Sequence, residues 1–203
     1  MELKKRRTDK AQQIINHFAE TISRLEIQED FSKAIDAIIY CKGKIVTTGM
    51  GKAGIAMRKF SSTLCSLGIP SCYLHPGEAS HGDLGVIGQE DILFVASTSG
   101  KTREVLETID QSRTINQQPI IGITSHPDSP LRDKASLVLD MGEIEEAGEI
   151  KMAPTTSILV MVAITDALAL DLSDEQGFVK EDFGKYHHSG YLGAVARNDG
   201  NIY

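Results

Sequence analysis

Three loop segments rich in glycine, hydroxyl and ionisable residues follow one another along the chain, each at the end of a short apolar run. They read Gly49-Met50-Gly51-Lys52-Ala53-Gly54, then His75-Pro76-Gly77-Glu78-Ala79-Ser80-His81-Gly82-Asp83, then Ser97-Thr98-Ser99-Gly100-Lys101-Thr102. Glycine lets a backbone come close to a ligand, free N–H groups and hydroxyls donate to phosphate oxygens, and Lys, His and Glu can move protons. Taken in order, they describe a site for a phosphorylated sugar.

The first segment has the G-x-G-x-x-G spacing of a dinucleotide fingerprint, but Ser71 to His75, at the end of the next apolar run, offers no acidic residue for a ribose. A nicotinamide cofactor is therefore disfavoured. The segment reads instead as a tight turn at a helix start, Gly49 and Gly51 presenting N–H groups and Lys52 reaching an anion or a reacting oxygen. The plainer alternative makes Lys52 an exposed helix lysine. The third segment resembles the tail of a Walker loop, yet the glycine required five residues before Gly100 is Val95, which disfavours a nucleoside triphosphatase. What remains is Ser97, Thr98, Ser99 and Thr102 at a helix N-terminus, suited to a phosphate monoester, where a merely capped helix would use one hydroxyl. Across the middle segment proline and glycine forbid a regular helix, so its histidines are not a helical ligand pair. His75 stands as an incidental metal ligand, with Glu78 or Asp83 expected to fix the loop by hydrogen bonds.

The chain has 203 residues, 41% hydrophobic and 24% charged, enough for one well-buried core and too few for two ordinary domains. A net charge of −7 argues against a nucleic-acid surface. The basic cluster Lys4-Lys5-Arg6-Arg7 reads as the solvated start of the first helix and has no apolar stretch after it to make a secretory signal. Ile158 to Leu172 is the most apolar segment, interrupted by Thr165 and Asp166 and too short for a bilayer, so no membrane association is expected. Cys41, Cys65 and Cys72 lack metal-binding spacing and are expected to be buried thiols in a reducing cytoplasm.

Residues 8 to 40 show helical periodicity in two pieces, Ile14, Ile15, Phe18 and Ile22 and then Phe31, Ile35, Ile38 and Ile39. Beyond Gly43, β-branched runs at Lys44 to Thr48, Ser71 to Leu74, Asp91 to Ala96, Ile120 to Thr124 and Leu137 to Asp140 alternate with helical segments near 51 to 67, 102 to 117 and 130 to 135. This alternation predicts an α/β fold, a three-layer α/β/α sandwich on a five-stranded parallel sheet in a flavodoxin-like arrangement. The expected organisation is one domain: N-terminal helices over 1 to 40, the α/β core over 41 to 193, and a tail over 194 to 203. The three loops leave the first three strands at their carboxyl ends, where such sheets bind ligands. A long helix follows Pro154, apolar almost all round and hence central or at a subunit interface.

The turn Gly49-Met50-Gly51-Lys52, the loop from His75 to Asp83, the Ser-x-Ser-Gly hydroxyl loop and Ala153-Pro154-Thr155-Thr156-Ser157 match in order a known family. The chain resembles the sugar isomerase (SIS) domain family, and within it the arabinose-5-phosphate isomerases of the Kdo and capsule pathways, over about residues 11 to 193. The resemblance implies substrate contacts from Gly49, Gly51, His75, His81, Ser97, Thr98, Ser99, Thr102 and Thr155, and catalytic roles for Lys52, Glu104, Glu146 and His187. It implies interconversion of D-ribulose 5-phosphate and D-arabinose 5-phosphate through an enediol in the cytoplasm. That chemistry requires no organic cofactor, any divalent metal being incidental or inhibitory. Glu146 or Glu104 would be the carbon base, His187 the proton mover at the oxygens and Lys52 the electrostatic stabiliser. Two departures stand out: His187-His188-Ser189-Gly190 replaces the family's His-Pro-Gly-Gly, leaving the choice between His187 and His188 open, and Lys101 replaces a glutamate. The paired nucleotide-sensing CBS modules of many relatives have no counterpart in these 203 residues, which look like an isomerase-only form. A homotetramer and feedback by CMP-Kdo are further expectations. The alternatives are another phosphosugar isomerase, or a non-catalytic sugar-phosphate sensor, which would need the phosphate loop but not the ionisable set.

Overall fold

A computed structural model describes residues 2–197. Two helices, α1 (Glu2–Ser23) and α2 (Glu29–Ile39), precede β1 (Ile45–Gly49), α3 (Gly51–Ser66) and β2 (Ser71–Leu74). A one-turn helix α4 (Pro76–Ala79) and a 3-10 turn at Asp83–Val86 lead to β3 (Ile92–Ala96) and α5 (Arg103–Ser112). Then come β4 (Ile120–Thr124), α6 (Pro130–Lys134), β5 (Leu137–Asp140), α7 (Thr156–Glu175), α8 (Lys180–Tyr186) and α9 (Gly190–Ala196). All strand pairings are parallel, in the order β2-β1-β3-β4-β5. The topological switch therefore lies between β1 and β3, the two strands that feed the glycine turn and the hydroxyl loop.

Alternation along each strand divides the core. Ile45, Phe94, Ile121 and Ile123 face α2, α3 and α7, while Val46, Leu93, Val95 and Ile120 face α5 and α6, which gives the three layers. Phe60 of α3 meets Phe94 with ring centroids 4.8 Å apart at the centre of the first layer. The lower end of β3 is pinned by buried Asp91, which accepts from the Lys44 amide at 2.8 Å and the Gly88 amide at 2.7 Å and pairs with the Lys44 ammonium at 2.5 Å. Burial pushes the Asp91 carboxyl up, and these partners together hold it below the usual range.

Several expectations need correction. The basic cluster is, as expected, the exposed start of the first helix, α1, although the helical periodicity was legible only from residue 8. The His75 loop does contain a turn of α-helix, because proline is tolerated at the first helical position and here occupies it. α7 is long and apolar enough to cross a membrane by length and composition, longer than the sequence suggested. Its Val160, Met161, Ile164, Leu168 and Leu172 are nevertheless buried in the core against α3, as a central helix requires. Cys65 is exposed, and Cys41 and Cys72 are only partly buried. α9 runs past residue 193 to Ala196, so the expected tail is helical at its start; its remainder, 198 to 203, lies outside the described residues.

Candidate active site

The sheet register brings the three loops to one level. Gly49 is the Cα partner of Ala96, and Thr48 is the partner of Leu74, so Met50, Ser97 and His75 leave neighbouring strands almost side by side. The loops after β1 and β3 run into the N-termini of α3 and α5, where the opening N–H groups have no intrahelical acceptor. Neither helix has a side-chain cap hydrogen bond at its start. α3 carries Lys52 in its first turn and no acidic residue there, an arrangement that the helix dipole disfavours unless an anion is present. Lys52 is exposed and makes no ion pair among the described residues.

In the hydroxyl loop Ser97 is buried and shares a 2.9 Å hydrogen bond with Thr102. The Ser99 hydroxyl accepts from the Lys101 amide at 3.2 Å, closing the turn. Gly100 has φ +62, and a Cβ there would strike the Ser129 side chain, so only glycine permits the fit. The Thr98 carbonyl accepts from the Thr124 hydroxyl at 3.1 Å, the Ser125 amide at 3.1 Å, the Ser125 hydroxyl at 2.9 Å and His126 Nδ1 at 3.2 Å. The loop is thus tied to the end of β4, a support that sequence reasoning missed. Its signal was available in Thr124-Ser125-His126, a fourth polar run at the same edge of the sheet. Glu104 follows directly, half-buried in the first turn of α5.

His75 caps α4: its Nδ1 accepts from the Gly77 amide at 3.2 Å, which leaves the proton on Nε2 and makes that edge a donor. A metal at Nδ1 would displace this cap, and one at Nε2 would need the proton moved to a nitrogen already facing an N–H. Among the described residues no group of three or more His, Cys, Asp or Glu is arranged to hold a metal. With Nδ1 turned to the Gly77 amide, Nε2 is the ring nitrogen of His75 left for a ligand. His81 and Glu78 are exposed, and the loop-fixing hydrogen bond expected of Glu78 or Asp83 comes instead from His75.

Glu146 sits in the loop between β5 and α7 and caps α7. Its carboxylate accepts from the amides of Thr155 and Thr156 at 2.8 Å each, from the Ser157 amide at 3.4 Å, and from the Ser157 hydroxyl. Burial pushes this carboxyl up, but the Ser157 hydroxyl and the three amides outweigh it and hold it below the usual glutamate range. A carboxylate so held is a weak base, and its oxygens are already engaged by the cap. Thr155, expected to touch substrate, spends its amide on this cap, and its hydroxyl lies 3.4 Å from the same carboxylate.

His187 is not brought to the loops within one chain. It follows α8, whose Tyr186 ring would stand 3.1 Å from a Cβ at Gly68, at the foot of α3 and the opposite end of the sheet. The imidazole stacks on Phe183 at 3.7 Å and its Nδ1 donates to the Phe183 carbonyl at 3.0 Å, leaving Nε2 unprotonated in the neutral ring. His188 is exposed. A cavity of about 720 Å³ also lies away from the hydroxyl loop, between α1 and the 145 to 151 loop.

A family model for the SIS domain matches residues 38–171. The arabinose 5-phosphate isomerase KdsD of Pseudomonas aeruginosa is 40% identical over 167 residues, 82% of this chain and 51% of that protein. KpsF of Escherichia coli, likewise named an arabinose 5-phosphate isomerase, is 40% identical over 163 residues, 80% of this chain and 50% of its own. The chain thus spans about half the length of these curated relatives. Among solved structures, an E. coli CFT073 protein in complex with arabinose 5-phosphate superposes with a TM-score of 0.84 at 32% identity, covering 87% of this chain and 95% of that one.

Proposed function

This chain belongs to the SIS domain family, and we propose that it is a phosphosugar aldose-ketose isomerase interconverting D-ribulose 5-phosphate and D-arabinose 5-phosphate for capsule or Kdo precursor synthesis in the cytoplasm. The observation that carries the reading is the register: it sets an uncapped, cationic helix start beside a partly buried hydroxyl loop, with Glu104 in the turn that follows. Two relatives named for this activity share 40% of their aligned residues with the chain, which supports the same substrate.

In this reading the phosphate sits on the Ser97 to Thr102 loop, held by hydroxyls and the first N–H groups of α5. Glu104 takes the proton from the substrate carbon and returns it to the neighbouring one. Lys52 faces the oxygen on which negative charge develops, and the N-terminus of α3 adds its partial positive charge. His187 moves protons at the oxygens and opens the aldose ring, and it does so from a second copy of the chain, because its own chain holds it at the other end of the sheet. Exposed Ile55, Leu159 and Leu170 on α3 and α7 offer apolar surface for that assembly, a homotetramer. Lys52, His75, His81 and Lys101 together suit the carboxylate and phosphate of CMP-Kdo, which we propose as a feedback ligand; calorimetry with CMP-Kdo and with CMP tests this, and no heat with CMP-Kdo at millimolar concentration removes it. The activity itself is tested by incubating the protein with D-ribulose 5-phosphate and identifying the aldose by NMR. Absence of any aldose would overturn the reading, and arabinose 5-phosphate as product would establish it.

A further inference from the structure

The hydroxyl of Tyr73, on β2, donates to the Gly49 carbonyl at 2.7 Å. Gly49 is where β1 ends and the Lys52 turn begins. The approach depends on residue 54 having no side chain: a Cβ there would stand 2.6 Å from the Tyr73 hydroxyl and would overlap the Gly49 carbonyl. The Arg58 guanidinium lies over the Tyr73 ring, 4.6 Å from its centroid, and His75 meets the ring edge-on at 6.4 Å and 72°. Burial pushes the phenol up, while hydrogen bonding and charge from Arg58 pull it back, so the hydroxyl keeps its proton through the neutral range. A phenylalanine would fill the same place in the sheet. What the hydroxyl adds is a bond to the turn, linking the strand that feeds the His75 loop to the turn that carries Lys52.

We infer that Tyr73 is a positioning residue, its hydroxyl fixing the Gly49 carbonyl and through it the Lys52 turn relative to the His75 loop. The inference rests on the reading that Lys52 acts at the reacting oxygen. It predicts a loss in turnover rather than in phosphate capture, because the hydroxyl loop hangs from β3 and is braced from β4. Displacement of a stabilising group by a fraction of an ångström is enough to slow the chemical step.

The test is Tyr73→Phe, which removes the hydroxyl and keeps the ring under Arg58. For ribulose 5-phosphate we expect kcat to fall about tenfold with KM unchanged within about twofold. Amide exchange over Gly51 to Gly54 should speed up about tenfold, with Ser99 to Thr102 unaffected. Unchanged kcat in an active enzyme would overturn the inference, as would equal loosening of both loops, which marks a general structural role. If the unsubstituted protein has no isomerase activity, the functional reading fails on its own, and the exchange pattern still decides whether Tyr73 holds the turn.

Discussion

Two glutamates of one charge have been given opposite jobs by their surroundings. Glu104 lies in the first turn of a helix and its carboxylate makes no hydrogen bond among the described residues, whereas Glu146 lies within a loop with its oxygens filled by amides and a hydroxyl. Glu104→Gln should therefore keep the fold and lose on the order of 100- to 10,000-fold in kcat, measured with ribulose 5-phosphate. Near-normal turnover would remove it as the base. Glu146→Gln should act first on stability, costing about 0.5–2 kcal/mol as other lost helix caps do. The sign of its pH dependence follows from the lowered carboxyl. Its contribution is present above the ordinary glutamate value of about 4.3 and disappears as pH falls through the lower folded value. Denaturation curves of the two proteins should separate at pH 7 and converge once the pH has fallen below the lowered folded value. A gap that persists in acid would mean that the cap does not depend on charge.

At the scale of elements, strands were the easiest to read from sequence. The strands expected at Lys44 to Thr48, Asp91 to Ala96 and Ile120 to Thr124 rest on β-branched or apolar runs that a parallel sheet buries on both faces, and the spans fall within a residue of those observed. The three site loops were legible for a related reason: chemistry at the switch of a parallel sheet needs glycine and hydroxyls just where the apolar run stops. The rest was hidden by length and distance. α4, α8 and α9 are too short for helical periodicity to show, and the cap on Glu146 joins residues about ten apart through a loop that has no regular pattern. The brace from Ser125 and His126 to Thr98 links residues far apart in sequence, which no single-sequence pattern encodes. The hydroxyl loop makes its own prediction. Thr102→Ala leaves buried Ser97 without its partner, so it should raise KM for the phosphosugar while barely changing kcat. The unsubstituted protein should bind arabinose far more weakly than its 5-phosphate in titration. Equal affinities for the two sugars would contradict a phosphate loop.

For the whole molecule the tension lies at His187, which the family resemblance places at substrate and the single chain places at the far end of the sheet. Stacking on Phe183 and the bond to its carbonyl fix the ring and leave Nε2 as the proton-exchanging edge, an arrangement suited to serving a site outside its own chain. The exposed apolar residues on α3 and α7 supply a reason for copies to associate, since about 25 cal/mol is gained for each Å² of apolar surface removed from water. If His187 works across a boundary, a chain lacking it and a chain lacking Glu104 can repair each other. His187→Ala and Glu104→Gln should each be nearly inactive alone, and after joint refolding a mixed assembly should regain roughly a quarter of normal activity in the simplest case of random pairing in twofold units. Sedimentation at micromolar concentration should show the oligomer for both variants, so that the loss cannot be laid to dissociation. Mixed samples that stay as inactive as their parents, while still assembling, would place His187 outside the reaction and return the proton transfers at oxygen to residues of the same chain, with His75 and its protonated Nε2 the nearest candidate.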